Sequence, residues 1–381
     1  MLNERRLIRE TDFGLTGKLW NISWTYVVLL CLLAGVGYAA LYSAAGGSPE
    51  PYAARHILRF GFGLVLMVCI AMVDIRFIAK LSWPVYFGSI ALLFLVMRMG
   101  HMGKGAQRWV ELGGIQLQPS EIAKIALVLG LAAWFHRASW ERIGNPLFLI
   151  PPVLMTLVPV GFILKEPNLG TAVITGLVGM SVFFAAGVRL WKFALVAIPI
   201  PFAARIAYAQ LHDYQRARID TFLDPSSDPL GAGYNIIQSQ IALGSGGMFG
   251  KGFLQGTQGH LNFLPEKQTD FIFTMLGEEF GFVGGVALMG LLCLIVLGGM
   301  AIALRCRNQY GRLVALGIAF NFSMYVFVNI AMVMGAIPVG GVPLPLVSHG
   351  GSAMITVMIG FGILMSVHVH RDVEFSTRER L

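Results

Sequence analysis

Charge is what this 381-residue sequence has least of. Asp, Glu, Lys and Arg together make up 13%, about half of the ~25% share of a soluble domain. So few charges cannot coat the two or three soluble cores that this length would allow. A cysteine framework is lacking too. Cys31, Cys69, Cys293 and Cys306 are scattered, three of them inside apolar runs, and none is spaced to pair with another Cys or with a His as a zinc site requires. No cleaved signal peptide is expected: residues 1–20 carry Arg5, Arg6, Arg9 and Lys18 but no apolar core. The run that begins near Ile22 is too long for a signal segment and reads as a signal-anchor helix. There is no internal repeat, no low-complexity tract, no Ser-His-Asp order, no metal-ligand pattern and no nucleotide fold.

Present instead are long apolar runs. Hydrophobic residues are 56% of the chain and the mean hydropathy is +0.70. A span needs ~20 apolar residues, and the runs predict an all-α polytopic integral membrane protein with ten transmembrane helices. They lie near 21–44, 56–73, 78–97, 119–136, 146–164, 169–188, 190–210, 271–304, 313–336 and 347–368. A transmembrane domain over 21–370 then stands between a tail at 1–20 and a tail at 371–381. A long extracytoplasmic loop, 211–269, joins helices 7 and 8, and Ile236–Leu243 within it predicts a short interfacial helix.

Lys and Arg number 28 against 20 Asp and Glu, a net charge of +8. With the N-terminus inside, the cytoplasmic segments hold 16 Lys and Arg, the outer segments 11, and Lys124 lies within a span. Cytoplasmic loops collect these residues, so the excess indicates that both termini are cytoplasmic, not that nucleic acid is a partner.

Ionisable groups at membrane depth are costly and draw attention. Glu121 and Lys124 follow Pro119 at i, i+3, share a helix face and can pair. They either fix helix packing or form a polar pocket wall. Lys165-Glu166-Pro167-Asn168 makes a tight break between two spans, where Pro and Asn turn the chain and cap a helix, or bring charge to a site. Asp270 stands where the long loop re-enters the membrane, and either caps the next helix or serves as a partly desolvated general base. Glu278 and Glu279 lie two to three turns deeper and are expected to face protein. The Pro- and Gly-rich stretch from Pro338 to Ser352 is irregular backbone, tolerated at depth only under protein or water. Its free N–H groups with Ser348 and Ser352 suit an anion, or it is a rigid re-entrant turn in which His349 is structural. Gly244–Gly252 fails as a phosphate loop, since Gly252 stands where Ser or Thr must follow Lys251. It reads as a flexible outer turn.

All of these fall at the outer boundary, together with Arg98, Lys104 and Arg108 in the segment 98–118. Such a site suits an amphiphile, its tail between helices and its anionic head held by cations. With no metal or nucleotide machinery in the sequence, an activated donor carrying its own leaving group is expected.

The ordered motifs resemble the SEDS (shape, elongation, division and sporulation) family over residues 20–370. They are Gln118-Pro119-Ser120-Glu121 with Lys124, Glu166-Pro167-Asn168-Leu169-Gly170-Thr171, Phe222-Leu223-Asp224-Pro225, Gly233-Tyr234 with Gln238-Ser239, and Gly244-Ser245-Gly246-Gly247. Leu264-Pro265-Glu266-Lys267 with Thr269–Phe273, and Pro343-Leu344-Pro345 with Ser348 and Gly350-Gly351-Ser352, complete the set. The short N-terminal tail and the Pro-Glu-Lys-Gln stretch favour the family's elongation branch over its division branch.

The resemblance implies a peptidoglycan glycosyltransferase of the bacterial inner membrane that polymerises lipid II for elongation and rod shape. Its substrates would be lipid II and a lipid-linked glycan strand. Its partners would be a class B penicillin-binding protein (a transpeptidase) and other elongation-complex proteins. The family's essential Asp falls on Asp270, and its Glu and Lys of the fourth span on Glu121 and Lys124. Two positions depart from the pattern: Asn168 stands where Asp is usual, and an amide cannot be a base, while His349 replaces the usual Tyr. Arg108, Lys124, Arg216 and Arg218 are candidates to stabilise the pyrophosphate, with Lys165, Asn168, Ser348 and Ser352 lining the substrate. No cofactor is certain; a divalent cation (Mg or Mn) could do the same work as the arginines. The rival reading is a flippase for lipid II, which would need polar groups on both faces and alternating access.

Overall fold

In the computed structural model the described residues are 14–373 and 375, apart from 100, 104–105, 113–114, 137, 167, 200–201, 203–207, 209–212, 225–231, 262, 265 and 339; over 99–116 the description is of the backbone alone. The chain runs through α1 (Leu15–Trp20), α2 (Trp24–Ala44), α3 (Ala53–Ala71) and α4 (Ile75–Met99). Strands β1 (His101–Gly103), β2 (Ala106–Leu112) and β3 (Ile115–Leu117) follow, then α5 (Pro119–Phe135), α6 (Trp140–Gly144), α7 (Pro146–Lys165), α8 (Leu169–Ala185) and α9 (Leu190–Ala197). The rest comprises α10 (Asp213–Leu223), α11 (Ala232–Ser245), α12 (Thr257–His260), α13 (Ile272–Arg305), α14 (Gln309–Val333) and α15 (Gly351–Val369).

Seven of these helices are long and apolar enough to cross a membrane: α2, α3, α4, α7, α13, α14 and α15. The expected spans near 119–136 and 169–188 are α5 and α8, each of 17 residues, or about 26 Å at 1.5 Å per residue. Of the stretch near 190–210, α9 covers eight residues. One part departs from helix: strands β1, β2 and β3 form an antiparallel meander in the order β1-β2-β3, where Trp109 and Val110 are residue types that suit a strand.

Helix starts follow local chemistry. Pro119 and Pro146 occupy first-turn positions, where a missing N–H costs nothing. The Asn145 side chain accepts the Leu147 amide at 2.9 Å and that of Asn308 the Gly311 amide at 2.6 Å. Pro159 inside α7 removes the donor that would meet the Met155 carbonyl; the Tyr86 hydroxyl donates to that carbonyl instead, at 2.9 Å.

The core lies around α14 and α15. α14 packs against α5, α8, α13 and α15, while α15 lies along α3. Both ends of the described chain lie at one end of the bundle. There Lys18 donates to the Met72 carbonyl at 3.1 Å and the Arg307 amide to that of Arg371 at 3.0 Å. At the other end, α10, α11 and α12 occupy the expected long loop. α11 covers the predicted 236–243 helix, but it packs into the protein: Ser239, fully buried, donates to the Val333 carbonyl and meets the Thr274 hydroxyl, both at 2.8 Å.

Candidate active site

One buried amide organises the re-entry of the long loop. Asn329 in α14 has 0% exposure. Its Nδ2 donates to the carbonyl of Asp270 at 2.9 Å and to that of Val342 at 2.8 Å. A carboxamide nitrogen carries two hydrogens, so one side chain ties the residues before α13 to the Pro- and Gly-rich turn before α15. The His349 amide donates to the Gln268 carbonyl at 2.8 Å and joins the same two segments again. Asp270 is half-buried at this seam. Facing it is Gly341, with φ +64°, where a Cβ would lie 3.8 Å from Asp270 Oδ2. Glycine there accepts the left-handed backbone and keeps the carboxylate approachable.

The same turn meets the break between α7 and α8. A Cβ on Gly170 would come within 3.1 Å of the Gly340 carbonyl. Asn168 caps α8, its Oδ1 accepting the Thr171 amide at 3.4 Å, and is buried together with Glu166. Lys165, one residue before that pair, is exposed. Ser348 locks the turn on itself: its hydroxyl accepts the Leu344 amide at 2.8 Å, and its own amide donates to the Leu344 carbonyl at 2.9 Å. Ser352 is buried in the first turn of α15.

Glu121 and Lys124 reach this centre through α14. Lys124 is 1% exposed, and its Nζ donates to Glu121 Oε1 at 2.8 Å. The Tyr325 hydroxyl accepts from Lys124 and donates to the other oxygen of Glu121, closing a triangle. Tyr325 and Asn329 are i, i+4 on α14, so the triangle and the amide that holds Asp270 share a helix face.

The arginines of the meander and of α10 are less central. Arg216 in α10 donates to the Tyr208 carbonyl at 3.3 Å, and its guanidinium carbon lies 5.3 Å from that ring's centre. The Tyr208 hydroxyl donates to Asp220 at 2.5 Å, which raises its pKa. Arg108 falls on β2 and Arg218 on α10; their side chains lie outside the described residues. Among the described residues no three His, Cys, Asp or Glu side chains gather as metal ligands.

Residues 20–373 match the family described as cell cycle protein FtsW/RodA/SpoVE. The chain belongs to that family. It is 45% identical over 353 residues to the peptidoglycan glycosyltransferase MrdB of Escherichia coli K12, covering 91% of this chain and 94% of the relative. It is 32% identical to the peptidoglycan glycosyltransferase RodA of Treponema pallidum, covering 91% and 98%. Among solved structures it is similar to the rod shape determining protein RodA of Thermus thermophilus, with a TM-score of 0.69, 31% identity, and 92% and 97% of the two chains covered. It is also similar to a chain from a peptidoglycan synthase complex that coordinates polymerisation and crosslinking, with a TM-score of 0.78, 33% identity, and 92% and 98% covered.

Within this FtsW/RodA/SpoVE chain the glycine-rich stretch 244–252 is no loose turn. It is seated in a break of α13 at Gly281, whose φ of 66° and ψ of −164° are not helical. Carbonyls of Glu278 and Glu279 that the break frees accept the amides of Lys251 and Gly252, both at 3.0 Å. Amides of Phe282 and Val283 donate to Gly247 and Met248 at 2.8 and 3.1 Å. These four bonds satisfy backbone that would otherwise be stranded near the membrane. Both glutamates face protein as expected. Glu278 accepts from Lys251 Nζ at 2.7 Å and from the amides of Thr257 and Gln258 at 2.8 and 3.1 Å, while Glu279 accepts from Ser43. Sequence reading singled out neither Tyr325 nor Asn329. The available signal was two hydrogen-bonding side chains one turn apart inside an apolar run.

Proposed function

We infer that the protein is a peptidoglycan glycosyltransferase that polymerises lipid II into β-1,4-linked glycan strands for cell elongation. Asp270 carries the reading: it is a half-buried carboxylate, fixed through its own carbonyl by Asn329 and left approachable by Gly341. The acceptor is the 4-hydroxyl of the GlcNAc of one lipid II. The donor is the lipid-linked strand, attacked at the MurNAc anomeric carbon. As the new C–O bond forms, the hydroxyl proton passes to Asp270. The bond to phosphate breaks, and its electron pair leaves with undecaprenyl pyrophosphate. One in-line displacement turns the α link into a β link. Cations placed where charge develops on the leaving oxygen lower the barrier, and Arg216, Arg218 and Arg108 are the outer candidates. Lys124 acts from within its triangle, as a support for α14.

Ten spans in the cytoplasmic membrane, with both termini inside and 211–269 outside, place Asp270 at the outer leaflet, where the sugar is presented. A class B penicillin-binding protein is the expected partner; a relative's structure comes from a synthase complex that joins polymerisation to crosslinking. The test is purified protein with labelled lipid II. Wild type should make glycan strands, which a flippase would not. Asp270→Asn should lose roughly 10²–10⁴-fold in rate with an unchanged melting transition. Full activity in that variant would remove Asp270 from the base role.

A further inference from the structure

α13 begins beside Asp270 and ends, at the opposite end of the bundle, in a cationic pocket that the mechanism above does not use. Three elements build it: the last residue of α13, Arg305; the last turn of α15, with His368; and the segment that follows α15, with Arg371. α13 and α15 pack together, and the charged groups that face the His368 ring are Arg371 and Arg305. Nδ1 of His368 is buried without a hydrogen bond. His370, two residues on, shows what a helix end ordinarily offers: its Nδ1 donates to the Ser366 carbonyl at 2.9 Å. Among the described residues the Arg305 side chain forms neither a hydrogen bond nor an ion pair.

Nearby acids do not cancel this charge. Asp372 meets Arg307 at 3.4 Å with one oxygen and Arg371 at 3.6 Å with the other, both in exposed pairs of the kind that contribute little. Over 305–312 and 371–375 the sequence sets four Arg against Asp372 and Glu374. The C-termini of α13 and α15 subtract about half a charge each and the N-terminus of α14 returns about half, so roughly +1.5 remains. The flank of the pocket is apolar. Leu297, Met300 and Leu304, three and four residues apart on one face of α13, are all exposed. Ser43 meets Glu279 and Tyr26 meets Gly298, so α2 and α13 run in opposite directions. From the Tyr26 crossing, exposed Trp24 and Trp20 lie toward the same end as Arg305, which stands seven residues, or about 10 Å, beyond Gly298. Tryptophans of this kind mark the headgroup level of a bilayer. Arg305 therefore stands at the level of lipid phosphates, and the three apolar side chains stand at the level of acyl chains.

We propose that Arg305, His368 and Arg371 hold the phosphate of an anionic phospholipid whose acyl chains lie along Leu297, Met300 and Leu304. Guanidinium forks match phosphate oxygens, and an imidazole N–H supplies a further donor. A soluble phosphate would use the same donors but not the apolar flank, which selects the lipid. On the topology proposed above the site faces the inner leaflet, away from the leaflet that presents the sugar to Asp270. A bound lipid there joins the end of α13 to the segment after α15.

The test places the full chain in phosphatidylcholine nanodiscs doped, at equal mole fraction, with phosphatidylglycerol or phosphatidylcholine carrying a photoactivatable acyl chain. The readout is crosslinking to the peptide that holds 297–305, measured by mass spectrometry. Phosphatidylglycerol should exceed phosphatidylcholine there by at least about fivefold, the usual worth of one basic residue beside anionic lipid. Arg305→Gln with Arg371→Gln should bring the ratio close to one, and the corresponding pair of Lys variants should keep part of it, because Lys retains the charge but not the fork. A double Gln variant that melts like wild type and keeps the full ratio overturns the site. If that variant does not fold, Arg305→Gln, which breaks no hydrogen bond, is read by the same rule. Arg142→Gln with Arg189→Gln, at the same end of the bundle, should leave the ratio intact; an equal loss there overturns the site in favour of a general attraction to that face. Glycerophosphate in excess distinguishes sources: an undiminished ratio supports a lipid site, and an erased one overturns it in favour of a soluble phosphate. The readout needs no lipid II, so its outcome stands apart from the glycosyltransferase reading.

Discussion

A lysine with 1% exposure must be neutralised where it stands, and Lys124 is held by Glu121 and Tyr325. Removing one member of such a group leaves a buried charge behind. Lys124→Met should therefore cost about 3–5 kcal/mol, seen as an earlier melting transition in detergent. Combining it with Glu121→Gln should recover part of the loss, because no charge then remains. Asn329 works differently, since it joins two backbone segments and touches no proposed reacting atom. Asn329→Ala should slow polymerisation by about tenfold or more, the equivalent of roughly 1.4 kcal/mol, with little change in KM. Faster amide exchange over 340–349 would accompany it. His349 gives a pH signature. Burial, then Arg59 and Arg55, holds its imidazole below the ordinary value of ~6.5. Its contribution is complete above ~6.5 and is lost as pH falls through the lowered value of the folded state. Melting should come earlier at pH 5.5 than at pH 7.5, and His349→Gln should shrink that difference.

Among the elements, α13 shows why sequence alone was insufficient. Its 34 residues would make an unbroken rod of about 51 Å, too long for the ~30 Å hydrocarbon core. The break falls at Gly281, but Gly277, Gly284 and Gly285 stand nearby, and glycine is common in spanning helices. Nothing local marks which one bends. The partner that fixes the bend is Gly246–Gly252, which approaches so closely that side chains at Gly250 or Gly281 would strike backbone. Gly281→Ala should lose at least about 2 kcal/mol from its dihedral angles alone, and the yield of monodisperse protein in detergent should fall with it. Legibility was better where chemistry is local. Pro119, Asn145 and Asn168 start the helices that their residue types predict. The apolar runs placed every long helix, because burial in lipid is written into composition.

For the whole molecule, the charge count predicts a direction of insertion. Ser48→Cys, in a background without Cys31, Cys69, Cys293 and Cys306, should react with an impermeant maleimide in intact cells. Arg142→Cys should react only after the membrane is opened. The reverse pattern would invert the protein and move Asp270 to the wrong face. One end of the bundle was legible from the sequence as a concentration of motifs. Their mutual arrangement was not, because it depends on α14, an interior helix whose Tyr325 and Asn329 look unremarkable among apolar neighbours.

Asp270 stands eleven residues before the joint at Gly281, a lever arm of about 16 Å at helical rise. A swing of only ~4° would carry its carboxylate ~1 Å, a misplacement worth about a hundredfold in rate. On the proposed role of Asp270, the four hydrogen bonds of the glycine strap thus set an angular tolerance for catalysis from a point eleven residues away. Warming or tension that slackens the strap would throttle synthesis well before the bundle came apart.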